Sequence, residues 1–286
     1  MSYCEQAITF PCAGESLLGI VAVPNVPMTV GVLVVVGGPQ YRAGSHRQFL
    51  LLARALAVAG YPAMRFDYRG MGDSGGERRD FEAVEEDIAA ALAAFRRQCP
   101  QLERIVLWGL CDAATAALLY WDRTRDAGLG GLVLLNPWAR SEATLARTHI
   151  KHYYVRRLLQ REFWRKLLSG RLGIGRAVRG LADNWLRARR ARATEDFVAA
   201  EPFQKRMMRA LAHFPGPSLL LLSDDDYTAK EFLEACRADA IATQALAGPG
   251  LTRIDVPGAD HTFSSSALRQ TVEVATLDWL RQALPS

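Results

Sequence analysis

Three short segments hold residues whose type and surroundings could carry covalent chemistry. The first is Trp108-Gly109-Leu110-Cys111-Asp112-Ala113. A strand-like apolar run precedes it and a helical pattern follows. This is the setting of a nucleophile elbow, G-x-S-x-G, with Cys in place of Ser and Ala in place of the second Gly. Small residues at Gly109 and Ala113 let such a turn close and lift the central side chain above a sheet. The positive end of the following helix favours a thiolate and a developing oxyanion. Cys4, Cys12, Cys99 and Cys236 have no such motif around them and read as ordinary packed cysteines. The five cysteines are odd in number and show no CxxC pairing or metal-ligand spacing with the five histidines. No disulfide framework, metal or cofactor is expected, and a reducing, cytoplasmic compartment fits.

A nucleophilic thiol needs a base, and the base needs an orienting carboxylate. The second and third segments supply both, in the chain order nucleophile, acid, histidine. Ser223-Asp224-Asp225-Asp226-Tyr227-Thr228 follows one apolar run, and Pro257-Gly258-Ala259-Asp260-His261-Thr262-Phe263 follows the last one. His261 would take the Cys111 proton and Asp226 would hold its tautomer. Three adjacent aspartates leave the acid open, with Asp226 the first candidate and Asp225 the second. Asp260 reads equally as a turn or cap residue.

An oxyanion hole pairs the N–H after the nucleophile, here that of Asp112, with one from the loop after an earlier strand. That loop reads Val36-Gly37-Gly38-Pro39-Gln40-Tyr41-Arg42. Pro39 has no N–H, so Gly38 is the expected donor. Gln40, Arg42 and His46 are expected to line the substrate. The remaining histidines read as surface or packing residues. Phe66-Asp67-Tyr68-Arg69-Gly70-Met71-Gly72-Asp73-Ser74-Gly75 is a second glycine-rich turn and reads as a brace. No G-x-G-x-x-G follows the first parallel strand and no GK[ST] occurs, which disfavours dinucleotide and Walker loops.

The elements that must position these residues are legible in the hydrophobic pattern. Short apolar runs occur at 30–36, 63–66, 105–108, 132–135, 219–222 and 253–256. They read as strands of a parallel sheet buried on both faces. Helical patterns at 48–59, 81–98, 113–121, 229–243 and 267–283 alternate with them. The result is an α/β, mostly parallel, doubly wound sheet. Segments 6–10 and 17–23 flank a Cys12-Ala13-Gly14-Glu15 turn and read as an antiparallel hairpin at its edge.

The rhythm breaks between Asn136 and Pro217, where Leu145, Ile150, Tyr153, Leu158 and Phe163 recur at helical spacing without a strand. The expected division is a core at 1–137 and 216–286 with a helical cap inserted at 138–215. Over the whole 286 residues the net charge is only +5. Counted from Arg140 to Pro215 it is +12, which leaves −7 for the remainder. A cap this basic is expected to meet an anionic group: the anionic portion of a small or carrier-bound acyl substrate, or the surface of an anionic membrane. A solvated cationic face is the plain alternative. With no groove-reading module, nucleic acid is not expected. MSYCEQAITF lacks the features of a signal peptide and no apolar run could span a bilayer, so a cytoplasmic protein is expected, at most peripheral to the inner membrane.

Taken together, the Gly-Gly-Pro loop, the turn at 67–74, the elbow at Cys111, Asp226 and His261 resemble the α/β-hydrolase superfamily. GGPQYRAGSHRQF, FDYRGMGDS, LWGLCDAATAALLY, LVLLNPW and ADHTFS resemble more narrowly the exosortase A system-associated hydrolases, type 1, which are encoded with exopolysaccharide and protein-sorting genes. The superfamily usually has His where this chain has Val36, and Ser where it has Cys111. Cysteine at the elbow resembles dienelactone hydrolases and polyhydroxyalkanoate synthases. The resemblance implies an enzyme acting on an ester or thioester through an acyl-cysteine, by hydrolysis or by acyl transfer. The rival expectation is a non-catalytic protein of this fold that docks its basic cap on a membrane or partner.

Overall fold

The computed structural model describes residues 2–38, 40–140 and 201–285. Met1–Ala139 and Phe203–Ser286 form one compact unit. The helices expected at 145–168 lie outside the described residues, as does Pro39.

Among the described residues the elements are β1 (Tyr3–Cys12), β2 (Glu15–Pro24), β3 (Val30–Val35), α1 (Gln48–Val58), β4 (Ala63–Phe66), α2 (Glu85–Gln98), β5 (Arg104–Leu110), α3 (Asp112–Thr124), β6 (Leu129–Leu135), α4 (Phe203–His213), β7 (Ser218–Ser223), α5 (Tyr227–Arg237), α6 (Ala240–Leu246), β8 (Leu251–Val256) and α7 (Ser266–Ala283). The eight strands form one sheet in the order β1-β2-β4-β3-β5-β6-β7-β8. From β4 to β8 every neighbouring pair is parallel, while β1 and β2 are antiparallel additions at one edge. The β1–β2 hairpin closes where Cys12 faces Glu15. Its two turn residues, Ala13 and Gly14, both take positive φ, as a tight twisted hairpin requires.

The apolar runs are strands because each serves two cores at once. Leu33, Leu107, Leu134 and Leu220 face a layer containing Phe95, Trp121 and Phe232. Their neighbours Val34, Val106, Val133 and Leu221 face the opposite layer with Phe49, Leu56 and Trp279. Successive strand side chains point to opposite faces, so a strand covered by helices on both sides must be apolar throughout. β8 departs from this expectation. It is an edge strand, and Thr252, Arg253 and Asp255 are exposed. Charged residues on an edge discourage pairing with another chain.

Two helical expectations are also revised. The pattern at 229–243 is two helices, because the Asp239 side chain accepts from the N–H groups of Ile241 and Ala242 and starts α6 afresh. Residues 203–213, assigned to the cap by patterning, form α4 within the same unit as the sheet. The helix buries Met207, Met208, Ala210 and Leu211. Arg209 and Arg206 of this helix turn to Asp122 of α3, at 2.6 and 3.9 Å.

β3 lies between β4 and β5, so the chain leaves it in one direction and returns on the other side. In open α/β sheets ligands bind at such a reversal, beyond the carboxyl ends of the strands. The loop after β3 and Cys111 after β5 both emerge there.

Candidate active site

Cys111 occupies the turn between β5 and α3 with φ 63° and ψ −125°. That backbone conformation is strained for any residue with a Cβ and persists only where surroundings enforce it. Here they do. The Cys111 N–H donates to the Leu135 carbonyl at 2.8 Å, and its carbonyl accepts from the N–H of Ala114 at 3.1 Å and of Trp138 at 3.2 Å. The turn also needs glycine beneath it. A Cβ on Gly109 would lie 2.6 Å from backbone atoms of Ala113 and Ala114.

His261 and Asp226 arrive from the ends of β8 and β7. His261 Nδ1 lies 2.8 Å from Asp226 Oδ2. Of the three adjacent aspartates, Asp224 and Asp225 are exposed and Asp226 is buried. Asp224 accepts the Gly258 N–H at 2.7 Å and ties the two loops together. Asp226 also caps α5, accepting from the N–H groups of Thr228 and Ala229. Burial pushes the Asp226 carboxyl up, but the bond and charge of His261 and these two N–H groups outweigh it and hold it below its usual value.

The His261 imidazole is pushed up from 6.5 to about 10, first by its bond to Asp226, next by a hydrogen bond with the Cys111 side chain, against the opposing effect of burial. His261 thus has the Asp226 carboxylate at 2.8 Å and the Cys111 side chain among its neighbours, and both push its titration upward. A third layer holds the imidazole loop. Asn136, fully buried, donates through Nδ2 to the His261 carbonyl at 3.0 Å, and the Ser223 hydroxyl donates to the Asp260 carbonyl at 2.9 Å. Asp260 itself turns its carboxylate to the Ser264 N–H at 2.8 Å, a loop role.

The expected oxyanion-hole donor behaves differently. The Gly38 N–H is not open: it donates to Asp112 Oδ2 at 2.8 Å. Asp112 follows Cys111 at the head of α3, and its carboxyl is raised by burial, with the Gly38 N–H among the groups opposing the shift. Gly37 explains the double glycine, since a Cβ there would fall 2.2 Å from Asp112 Oδ1 and 2.9 Å from the Ala113 nitrogen.

Gln40 and Arg42, expected on the substrate, are engaged within the protein. Gln40 Oε1 accepts from the Ser45 N–H and from Gln48. Arg42 pairs with Asp67 and, at 2.6 Å, with Asp73, while its N–H donates to Asp67 Oδ1 at 2.6 Å. Asp67 is fully buried, and desolvated carboxylates demand such partners. His46 is exposed. The turn at 67–74 is the brace expected of it: Arg69, buried, pairs with Asp87 at 2.7 Å.

Sequence patterning missed Asn136, Ser223, and the Tyr68 and Arg78–Arg79 side chains. The last three line a cavity of about 290 Å³ together with Gly37, Gly38 and Asp112. A buried Asn at the end of an apolar run, as in Leu-Leu-Asn-Pro, is the signal that could have found Asn136. Among the described residues no group of three His, Cys, Asp or Glu could hold a metal ion, and no helix is long and apolar enough to cross a membrane.

Residues 32–276 match the model of the alpha/beta hydrolase family. The chain belongs to that family. Solved α/β hydrolases share its architecture at low identity. An esterase from Pyrococcus furiosus superposes with a TM-score of 0.66 at 16% identity, over 99% of this chain and 92% of that one. A carboxyl esterase from Bacillus coagulans, solved with glycerol, gives 0.64 at 17% identity over 99% of both chains. Est1E from Butyrivibrio proteoclasticus, solved with ferulic acid, gives 0.63 at 15% identity, over 98% of this chain and all of the other. No curated protein sequence matches the chain. This α/β hydrolase thus has the family fold with cysteine at the elbow.

Proposed function

We propose that this α/β hydrolase cleaves an ester or thioester acyl group through an acyl-cysteine intermediate, with Cys111 as nucleophile, His261 as proton carrier and Asp226 as its orienting acid. What supports the reading is the imidazole of His261, bonded at 2.8 Å to Asp226 and pushed up further by the nearby Cys111 side chain. The raised imidazole favours a proton on His261.

The thiolate then adds to the acyl carbonyl, and the tetrahedral oxyanion collapses as the bond to the leaving alcohol or thiol breaks. The His261 proton goes to that leaving group. In the second half water adds to the thioester, gives its proton to His261, and releases the free acid and the Cys111 thiolate. The esterases with which the chain shares its fold support the ester class. The segment at 140–202, still +9 without the α4 residues, and the Arg78–Arg79 pair beside Asp112 support an acyl substrate, free or carrier-bound, with an anionic portion. The same segment supports peripheral contact with an anionic membrane, and the motif resemblance supports a place beside exopolysaccharide or exosortase genes.

Incubation with p-nitrophenyl acetate should release nitrophenol and add one acetyl mass to Cys111, trapped by acid quench. Cys111→Ala should abolish both. Full turnover in that variant would overturn the reading, and product formed on an added alcohol faster than free acid would redirect it to acyl transfer.

A further inference from the structure

Two polar atoms at the site have no role in the scheme above. Asp112 Oδ1 and the Tyr68 hydroxyl are closed off from solvent and lack hydrogen-bond partners. Both residues line the cavity of about 290 Å³ that also reaches Gly37 and Gly38. Asp112 Oδ2, by contrast, holds the Gly38 N–H at 2.8 Å. That N–H is the one an acyl oxyanion would need. A donor already bonded to a carboxylate cannot serve a second anion at full strength, and two anions sharing one N–H repel.

We propose that the Asp112 carboxylate is a built-in occupant of the oxyanion hole, seated there in the resting protein and displaced into the adjoining cavity when an acyl carbonyl enters. The inference rests on the acyl-cysteine reading above. Three observations carry it beyond that reading. The seat is shaped for the carboxylate, because Gly37 leaves the space that a Cβ would fill at 2.2 Å from Oδ1. The fit is imperfect, because Oδ1 is buried without a well-aligned partner, the Ala113 and Asp112 N–H groups nearby only helping to hold the carboxyl down, which makes release less costly than for a fully bonded carboxylate. A destination exists, because Arg78, Arg79 and the unpartnered Tyr68 hydroxyl border the same cavity, where the only acidic neighbour is Asp80 among the lining residues described. The consequence is selectivity. A substrate anchored by other contacts can move the carboxylate, whereas a small ester with little binding energy reacts slowly.

Asp112→Asn and Asp112→Ala separate this from a loop-holding role. Two rates on Cys111 are measured by intact mass: acetylation by p-nitrophenyl acetate, which develops an oxyanion, and alkylation by iodoacetamide, which does not. Their ratio cancels any change in thiolate fraction. The ratio should rise about tenfold in Asp112→Ala and by less in Asp112→Asn, whose neutral amide oxygen still accepts from Gly38. An unchanged or lower ratio in both variants, with acetyl mass still on Cys111, overturns the Asp112 assignment alone. No acetyl mass on Cys111 in any of the three proteins overturns it together with the reading on which it rests.

Discussion

Asn136 and Ser223 exchange hydrogen bonds across the ends of β6 and β7: Asn136 Nδ2 donates to the Ser223 hydroxyl at 2.8 Å, and the Ser223 N–H donates to Asn136 Oδ1 at 2.9 Å. Each also reaches the loop that carries His261, so one small polar cluster sets where the imidazole stands. Asn136 takes φ 41°, a left-handed conformation that Asn tolerates better than most residues. Asn136→Ala should cost about 2–3 kcal/mol in urea unfolding, from the orphaned N–H of Ser223 and the positive φ. Activity on a chromogenic ester should fall through kcat more than through KM, because the imidazole and not the substrate loses its place. Unchanged stability would show that the cluster is dispensable.

The bond between Asp226 and His261 sets a pH window. His261 is raised in the folded protein to about 10, so its contribution to stability is complete below 6.5 and is lost as pH rises through about 10. Asp226→Asn removes the largest cause. The stability gap between wild type and Asp226→Asn should therefore be wide at pH 6 and narrow at pH 10. The alkaline limb of the acylation rate should move to lower pH in the variant. A gap that widens with pH would contradict the assigned sign.

Strain at the elbow is measurable without chemistry. Cys111→Ala and Cys111→Gly both remove the thiol, but only glycine relieves the cost of φ 63°. Cys111→Gly should be more stable than Cys111→Ala by about 1 kcal/mol, after allowing for the greater freedom of glycine in the unfolded chain. Equal melting temperatures would mean that the turn is unstrained.

Arg69 and Asp87 form a buried pair at 2.7 Å, with Asp87 fully closed from solvent and also accepting the Arg69 N–H at 2.8 Å. Removing Asp87 leaves the buried Arg69 with only the exposed Glu86, at 2.9 Å, as its partner. Asp87→Ala should cost about 3–5 kcal/mol in chemical unfolding. The double variant Arg69→Met with Asp87→Leu should recover part of that loss, and no recovery would show that packing, not charge, dominates there.

The sheet strands, their alternation with helices and the tight turn at Cys111 were legible because each rests on local physics. Continuous apolar runs mark strands covered on both faces, and small residues around Cys111 mark a turn that must close tightly. Where a residue's role depends on which distant group it meets, the chain alone was silent. Nothing local separates Asp225 from Asp226; only the placement of His261 beside the latter does. Gln40 and Arg42 stand in a loop that looks like a substrate rim, yet a buried carboxylate on Asp67, brought close by the β3–β4 pairing, claims Arg42. The double glycine was readable as a loop offering an N–H at Gly38. What approaches it, the Asp112 carboxylate over the Gly38 N–H, follows from the packing of α3 against the loop after β3, a contact 74 residues apart in the chain that only the tertiary structure brings together.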